Sequence, residues 1–164
     1  MKKHILLFTL LLGSFSLMAQ EEMQESPETI PPFSIVDFDG QTFTNEDLSK
    51  RTDSYIVYFN PECGHCEIAF RKLNKQVEAL DLKKVTFYAV AANTKEITEK
   101  FFKEVAPEVF KLKNLKILLD EDFVFANAFM VGSYPTVYFY DKKGNFVSRH
   151  EGSADVLKPI EGMK

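Results

Sequence analysis

The stretch Tyr55-Ile56-Val57-Tyr58-Phe59-Asn60-Pro61-Glu62-Cys63-Gly64-His65-Cys66 constrains this chain more than any other. Its first five residues are apolar or aromatic and suit a β-strand, and Pro61 ends the run. Downstream, Cys66, Ala69, Phe70, Leu73, Val77 and Leu80 recur at helical spacing and define one apolar face. The order is therefore strand, short turn, Cys-Gly-His-Cys, helix. Cys63 falls at the helix N-terminus, where free N–H groups and the helix dipole favour a thiolate. Cys66 falls on the apolar stripe and is expected to be the more buried thiol. One exposed, acidic sulfur with a shielded partner within bonding reach is what thiol–disulfide exchange needs.

Other uses of these two cysteines, the only ones in the chain, fit less well. A purely structural bridge would close almost no loop and add little entropic stability. A zinc site wants four ligands. Beyond the pair the mature chain offers only His65, inside it, and distant His150, so no metal site is expected. Gly and His between the cysteines do not suit an ordinary core run.

Residues 1–19 read as a secretory signal peptide: basic Lys2-Lys3, an apolar run from Ile5 to Leu12 continuing through Phe15 and Leu17, then Ala19 before Gln20. The run is short of the roughly 20 residues a transmembrane helix needs, although a retained anchor is the alternative. Cleavage after Ala19 leaves 145 residues, enough for one domain. The 20 basic residues fall to 18 against 24 acidic ones, for a net charge of −6. That balance, without a basic stripe, points away from nucleic acid. Export implies an oxidising compartment, where a sole cysteine pair oxidises unless electrons are supplied.

The rest of the chain alternates strands and helices. Residues 20–32 read as a flexible lead-in, and 33–164 as the folded domain. Strands are expected at Phe33–Phe38, Thr42-Phe43, 55–60, Val85–Ala91, Lys116–Leu119, Pro135–Tyr140 and Phe146–His150. Helices are expected after a Thr44…Asp47 capping box to Lys50, from about 63 to 81, and from Thr94 to about Val105, ended by Pro107. A further helix is expected over Asp120–Val131 with Phe123, Ala126, Asn127 and Met130 on one side, and Ser153 is a candidate cap for a short last one. Lys142-Lys143-Gly144-Asn145 reads as a hairpin turn. The pattern gives an α/β fold, a mixed sheet with helices on both faces. Sixteen phenylalanines can fill its core without tryptophan.

Over residues 33–155 the chain resembles exported thioredoxin-fold proteins of the TlpA/ResA-like type. The matching stretches are Cys63-Gly64-His65-Cys66 between strand and helix, Gly132-Ser133-Tyr134-Pro135-Thr136 and Phe139-Tyr140-Asp141-Lys142-Lys143-Gly144. Leu118-Leu119-Asp120 followed by a helix with Phe129 is similar to the segment that sets that group and its peroxiredoxin relatives apart from plain thioredoxin, and the opening Val36-Asp37-Phe38-Asp39-Gly40-Gln41-Thr42-Phe43 also fits the group. The resemblance implies a thioredoxin fold with the extra segment before a cis-Pro loop. It implies that Tyr134 and Pro135 line a substrate groove beside the cysteines. It also departs from this chain. Pro61-Glu62 stands where a Trp usually precedes the first cysteine, and Ala69 stands where TlpA/ResA-like proteins carry an acid. The buried acid of many thioredoxins is not evident on the central strand, where Val57 and Tyr58 stand. Glu62 and Glu67 are proton-acceptor candidates by proximity, although acids in a first helical turn are more often solvated charges.

The expected activity is thiol–disulfide exchange with exported proteins: Cys63 attacks, Cys66 resolves, and His65 stabilises the Cys63 thiolate. The alternative for His65 is an exposed histidine in a turn. No metal or organic cofactor is expected. Reduction or isomerisation is the favoured direction, with net oxidation or a non-enzymatic binding module as alternatives. The expected setting is the periplasm of a Gram-negative bacterium, the expected state a monomer, and the expected partners protein disulfides or dithiols and an electron-transfer protein of membrane or periplasm.

Overall fold

The computed structural model describes residues 26–80 and 82–163, so the expected signal peptide lies outside the described residues. Among these, seven strands form one sheet: β1 Ser34–Asp37, β2 Thr42–Thr44, β3 Asp53–Phe59, β4 Val85–Ala91, β5 Leu115–Leu119, β6 Thr136–Tyr140 and β7 Phe146–Glu151. Their order across the sheet is β2-β1-β5-β4-β3-β6-β7. Strands β3, β4 and β5 are parallel, while β1, β2, β6 and β7 add antiparallel pairings at either side. The helices are α1 Gly64–Gln76, α2 Lys95–Val105, α3 Pro107–Phe110 and α4 Val124–Ala128.

Central β3 is buried from Ser54 to Phe59. Its side chains alternate between two cores, as the period of a strand requires. Tyr55, Val57 and Phe59 join Cys66, Phe70 and Leu73 of α1 and Phe101 and Phe102 of α2. Ile56 and Tyr58 join Phe33, Phe125 and Phe129 on the opposite face. The phenylalanines meet largely edge to face, as with Phe70 against Phe101 and Phe102 at 5.2 and 5.5 Å. The mixed sheet covered on both faces is the architecture expected from the sequence.

Several local expectations change. The capping box is present, with Thr44 N donating to Asp47 Oδ2 at 2.8 Å, yet it opens only a 3-10 turn, Asn45–Asp47. Helix α1 stops at Gln76 and passes into a 3-10 turn, Val77–Ala79. Pro107 follows α2 but also opens α3 as its first residue, a position that needs no N–H. The Asn74 side chain of α1 caps α3, its Oδ1 accepting from Glu108 N at 2.7 Å and Val109 N at 3.3 Å. Among the described residues after Ser153 the chain makes turns and no helix.

Helix α4 is shorter than expected and buries a different face. Phe125 and Phe129 are fully buried and stacked at 3.8 Å, whereas Phe123 and Met130 are 47% and 38% exposed. The cause is local. Asp120, not a helical residue, turns its carboxylate back to accept from Phe125 N at 2.9 Å and Ala126 N at 3.0 Å. Phe123 takes a left-handed conformation, φ 57°, which resets the helical phase after it. The end of the segment read as a flexible lead-in is also placed: Thr29 bridges Asn145, and Glu28 O accepts from Phe146 N at 2.9 Å.

Candidate active site

The cysteine turn is built by Asn60, the residue after β3. Its side-chain Oδ1 accepts from Glu62 N at 2.9 Å, and its carbonyl accepts from Cys63 N at 3.0 Å. These two bonds fold the chain tightly onto the start of α1. Cys63 is the N-cap, with extended backbone, and its carbonyl accepts the first helical bond from Glu67 N at 3.0 Å. Cys63 is half-buried and Cys66 has no solvent exposure; both are free thiols. The exposed-and-shielded division expected of the pair is therefore present.

Burial pushes the Cys66 thiol up to about 12. The Asn60 backbone opposes that rise, and the neighbouring Cys63 adds to it. His65 lies exposed on the first turn of α1. Glu62 accepts from Asn93 Nδ2 at 3.0 Å. Glu67 is paired with Arg71 one turn along α1, at 2.8 Å. Each acid thus has a partner of its own beside the cysteines.

The loop between α4 and β6 supplies the other wall. The Tyr134–Pro135 peptide bond is cis, and Pro135 is buried. The loop is tied to edge strand β7. Ser133 Oγ donates to Glu151 Oε2 at 2.6 Å, Arg149 Nη2 pairs with Glu151 Oε1 at 2.6 Å and donates to the Met130 carbonyl at 3.4 Å, and Gly152 N donates to the Pro135 carbonyl at 2.8 Å. Tyr134 packs against both cores, rounding the end of the strands between them. Its ring stacks on Tyr58 at 5.7 Å and 17°. The sequence-expected residues Cys63, Cys66, Tyr134 and Pro135 are thereby brought to one end of the sheet.

Two residues at this end were not expected there. Asp120, 1% exposed, sits just past β5, and the fully buried Tyr58 donates to its Oδ2 at 3.0 Å across β4. A buried acid is therefore present, contributed by the end of β5 and not by the central strand. The available signal was a tyrosine inside an otherwise apolar strand, since a buried phenol needs a hydrogen-bond partner. Among the described residues, no cluster of three or more His, Cys, Asp or Glu could hold a metal ion.

A Cys-x-x-Cys turn after the central strand, a cis-Pro loop at the same end of the sheet and the β5–α4 segment define a thioredoxin-like fold of the peroxiredoxin-related kind. Residues 27–149 match the AhpC/TSA family, and the chain belongs to it. Among solved structures it is similar to MTB DsbF, at 22% identity and a TM-score of 0.64, covering 82% of this chain and 94% of that one. The thioredoxin domain of a thiol-disulfide oxidoreductase from Bacteroides vulgatus gives 18% identity, a TM-score of 0.64 and the same coverage of 82% and 94%. A secreted disulfide oxidoreductase of Mycobacterium tuberculosis gives 21% identity and a TM-score of 0.57 over 70% of this chain and 80% of that one. No curated protein sequence matches the chain.

Proposed function

We propose that this protein is an exported thiol–disulfide oxidoreductase acting through the Cys63–Cys66 pair. The observation that carries the reading is the division between the thiols: a half-exposed Cys63 capping α1 and a fully buried Cys66 one turn behind it. Cys63 attacks a disulfide of a substrate protein and forms a mixed disulfide. Cys66 then attacks the Cys63 sulfur, the bond to the substrate breaks, and the substrate leaves as a thiol. The reverse sequence oxidises a dithiol. His65, exposed on the first turn of α1, stabilises the thiolate, and the backbone of Tyr134 pairs with an extended substrate segment.

Reduction or isomerisation of disulfides in exported proteins is the direction we favour. Gly64-His65 between the cysteines, the dipeptide of protein disulfide isomerases, also supports net oxidation, because a histidine there stabilises the reduced form. Export rests on the signal-peptide reading of residues 1–19, and a secreted protein is among the similar structures. Substrates are protein disulfides or dithiols, electrons come from a membrane or periplasmic partner, and the protein acts as a monomer in the periplasm.

Insulin reduction by dithiothreitol tests the reading. The wild type is expected to accelerate it, Cys63→Ser to abolish the acceleration, and Cys66→Ser to accumulate mixed disulfides. A folded wild type that gives no acceleration and whose Cys63 resists alkylation would instead be a binding module.

A further inference from the structure

The loop of residues 130–135 is bonded to the last two strands along its length, and the bonds converge on one shielded cation. Arginine is almost never buried without partners. Yet the Arg149 side chain is only 10% exposed, on an edge strand where solvent is within reach. Its guanidinium lies over the Tyr138 ring, 5.5 Å from the centroid. Arg149 Nη2 donates to the Met130 carbonyl at 3.4 Å and pairs with Glu151 Oε1 at 2.6 Å. The second carboxylate oxygen, Oε2, accepts from Ser133 Oγ at 2.6 Å. Arg149 therefore reaches the first residue of the loop directly and the fourth through Glu151. Strand β6 adds two bonds: the Tyr138 hydroxyl donates to the Phe129 carbonyl at 2.7 Å, and Thr136 Oγ1 donates to the Ser133 carbonyl at 2.8 Å. Tyr134 lies between these fixed points and the Pro135 carbonyl, which accepts from Gly152 N. Among the described residues, no backbone hydrogen bond takes up the Tyr134 N–H or carbonyl.

We infer that Arg149, Glu151 and Ser133 are positioning residues that hold this loop in the shape an extended polypeptide needs, and so set a preference for protein and peptide disulfides over small ones. The inference rests on the oxidoreductase reading. The three residues act through the loop, and the chemistry stays with Cys63 and Cys66. Strand-type pairing gives affinity through main-chain bonds, which requires an amide and a carbonyl already aimed at the incoming chain. A loop ordered in advance spares the substrate the cost of ordering it. A small disulfide has no backbone to pair and gains nothing from the loop.

Two observations favour this over a purely structural cluster. An inward-pointing charge can guard an edge strand against pairing with another chain. That role does not require its bonds to converge on both ends of one loop, and a buried ion pair is in itself weak support for stability. The second is Met130, whose carbonyl Arg149 binds. It is held at φ 51°, a left-handed conformation that a side chain disfavours. Such residues persist where their surroundings over-determine them, and they gather at ligand clamps.

The test compares two disulfides. The pre-reduced protein is mixed with insulin, whose disulfides lie in polypeptide, or with bis(2-hydroxyethyl) disulfide, which is small and neutral. In each case the dithiol ends as the Cys63–Cys66 disulfide and the substrate disulfide as two thiols, and quenched alkylation follows the change over a range of substrate concentrations. In Ser133→Ala and Glu151→Gln the rate constant for insulin is expected to fall about 10-fold relative to that for the small disulfide, less than the 10²-fold that a misplacement of about 1 Å can cost. The loss should appear as weaker saturation by insulin more than as a lower plateau rate. Arg149→Met is expected to match them, and Arg149→Lys, which keeps the charge without the planar fork, to recover part of the loss. If Arg149→Met does not fold, Ser133→Ala and Glu151→Gln decide, since they change side chains that are partly exposed. An equal fall for both disulfides would mean a general structural role and overturns the inference, as does an unchanged ratio in both variants. A wild type that reacts with neither disulfide overturns the oxidoreductase reading, and the positioning role with it.

Discussion

Cys63 and Cys66 differ by three positions and by almost everything else. Burial holds the Cys66 proton, while Cys63 is half-open at the helix start. A stoichiometric alkylating agent near pH 6 is therefore expected to label Cys63 first; preferential labelling of Cys66 would reverse the roles. The same burial links stability to pH. A thiol is neutral when protonated, and folding raises the pKa of Cys66, so the folded state holds this proton more tightly than the unfolded one. The contribution is intact below about 9, the ordinary thiol value, and is lost as pH rises towards about 12. The reduced protein should lose stability between pH 9 and 10, before ordinary phenols ionise, and Cys66→Ala should flatten that fall. Chemical denaturation at the two pH values checks it, and equal slopes for both proteins would refute it.

At the scale of elements, α1 carries the site and is held from two sides. Phe70 packs on Phe59, Phe101 and Phe102 at 4.5, 5.2 and 5.5 Å, so Phe70→Ala should cost about 3–5 kcal/mol and loosen the cysteine turn with it. Asn74 caps α3 with one oxygen, and Asn74→Ala should cost about 1–2 kcal/mol, read by urea unfolding. How far such features were legible depends on their range. The strand–turn–helix around Cys63 and the hairpin follow from local patterns, and each is present. Asn74 capping a helix 34 residues on and Tyr58 meeting Asp120 62 residues on are long-range bonds with no local pattern. Helix α4 differs from the expectation for a local reason. Read locally, Asp120 looks like the first residue of a helix, and the apolar face then falls on Phe123 and Met130. Its carboxylate instead caps from outside, and the face moves to Phe125 and Phe129.

For the whole molecule the open quantity is the direction of electron flow. The balance of His65 against the TlpA/ResA-like resemblance leads us to expect a potential of about −180 to −230 mV, between isomerase and glutaredoxin values. Equilibration against glutathione, read by alkylation, gives the number. A value near −120 mV would mark an oxidase, and one below about −270 mV a dedicated reductant. Composition offers a second way to follow the pair. The chain has no tryptophan and six tyrosines, and one of them, Tyr134, packs against both cores, one of which holds Cys66 and has Cys63 at its edge. Its emission is not masked by indole. The protein thus holds a native optical probe at its own reacting centre, and the difference in ultraviolet fluorescence between its dithiol and disulfide forms should vanish in Tyr134→Phe.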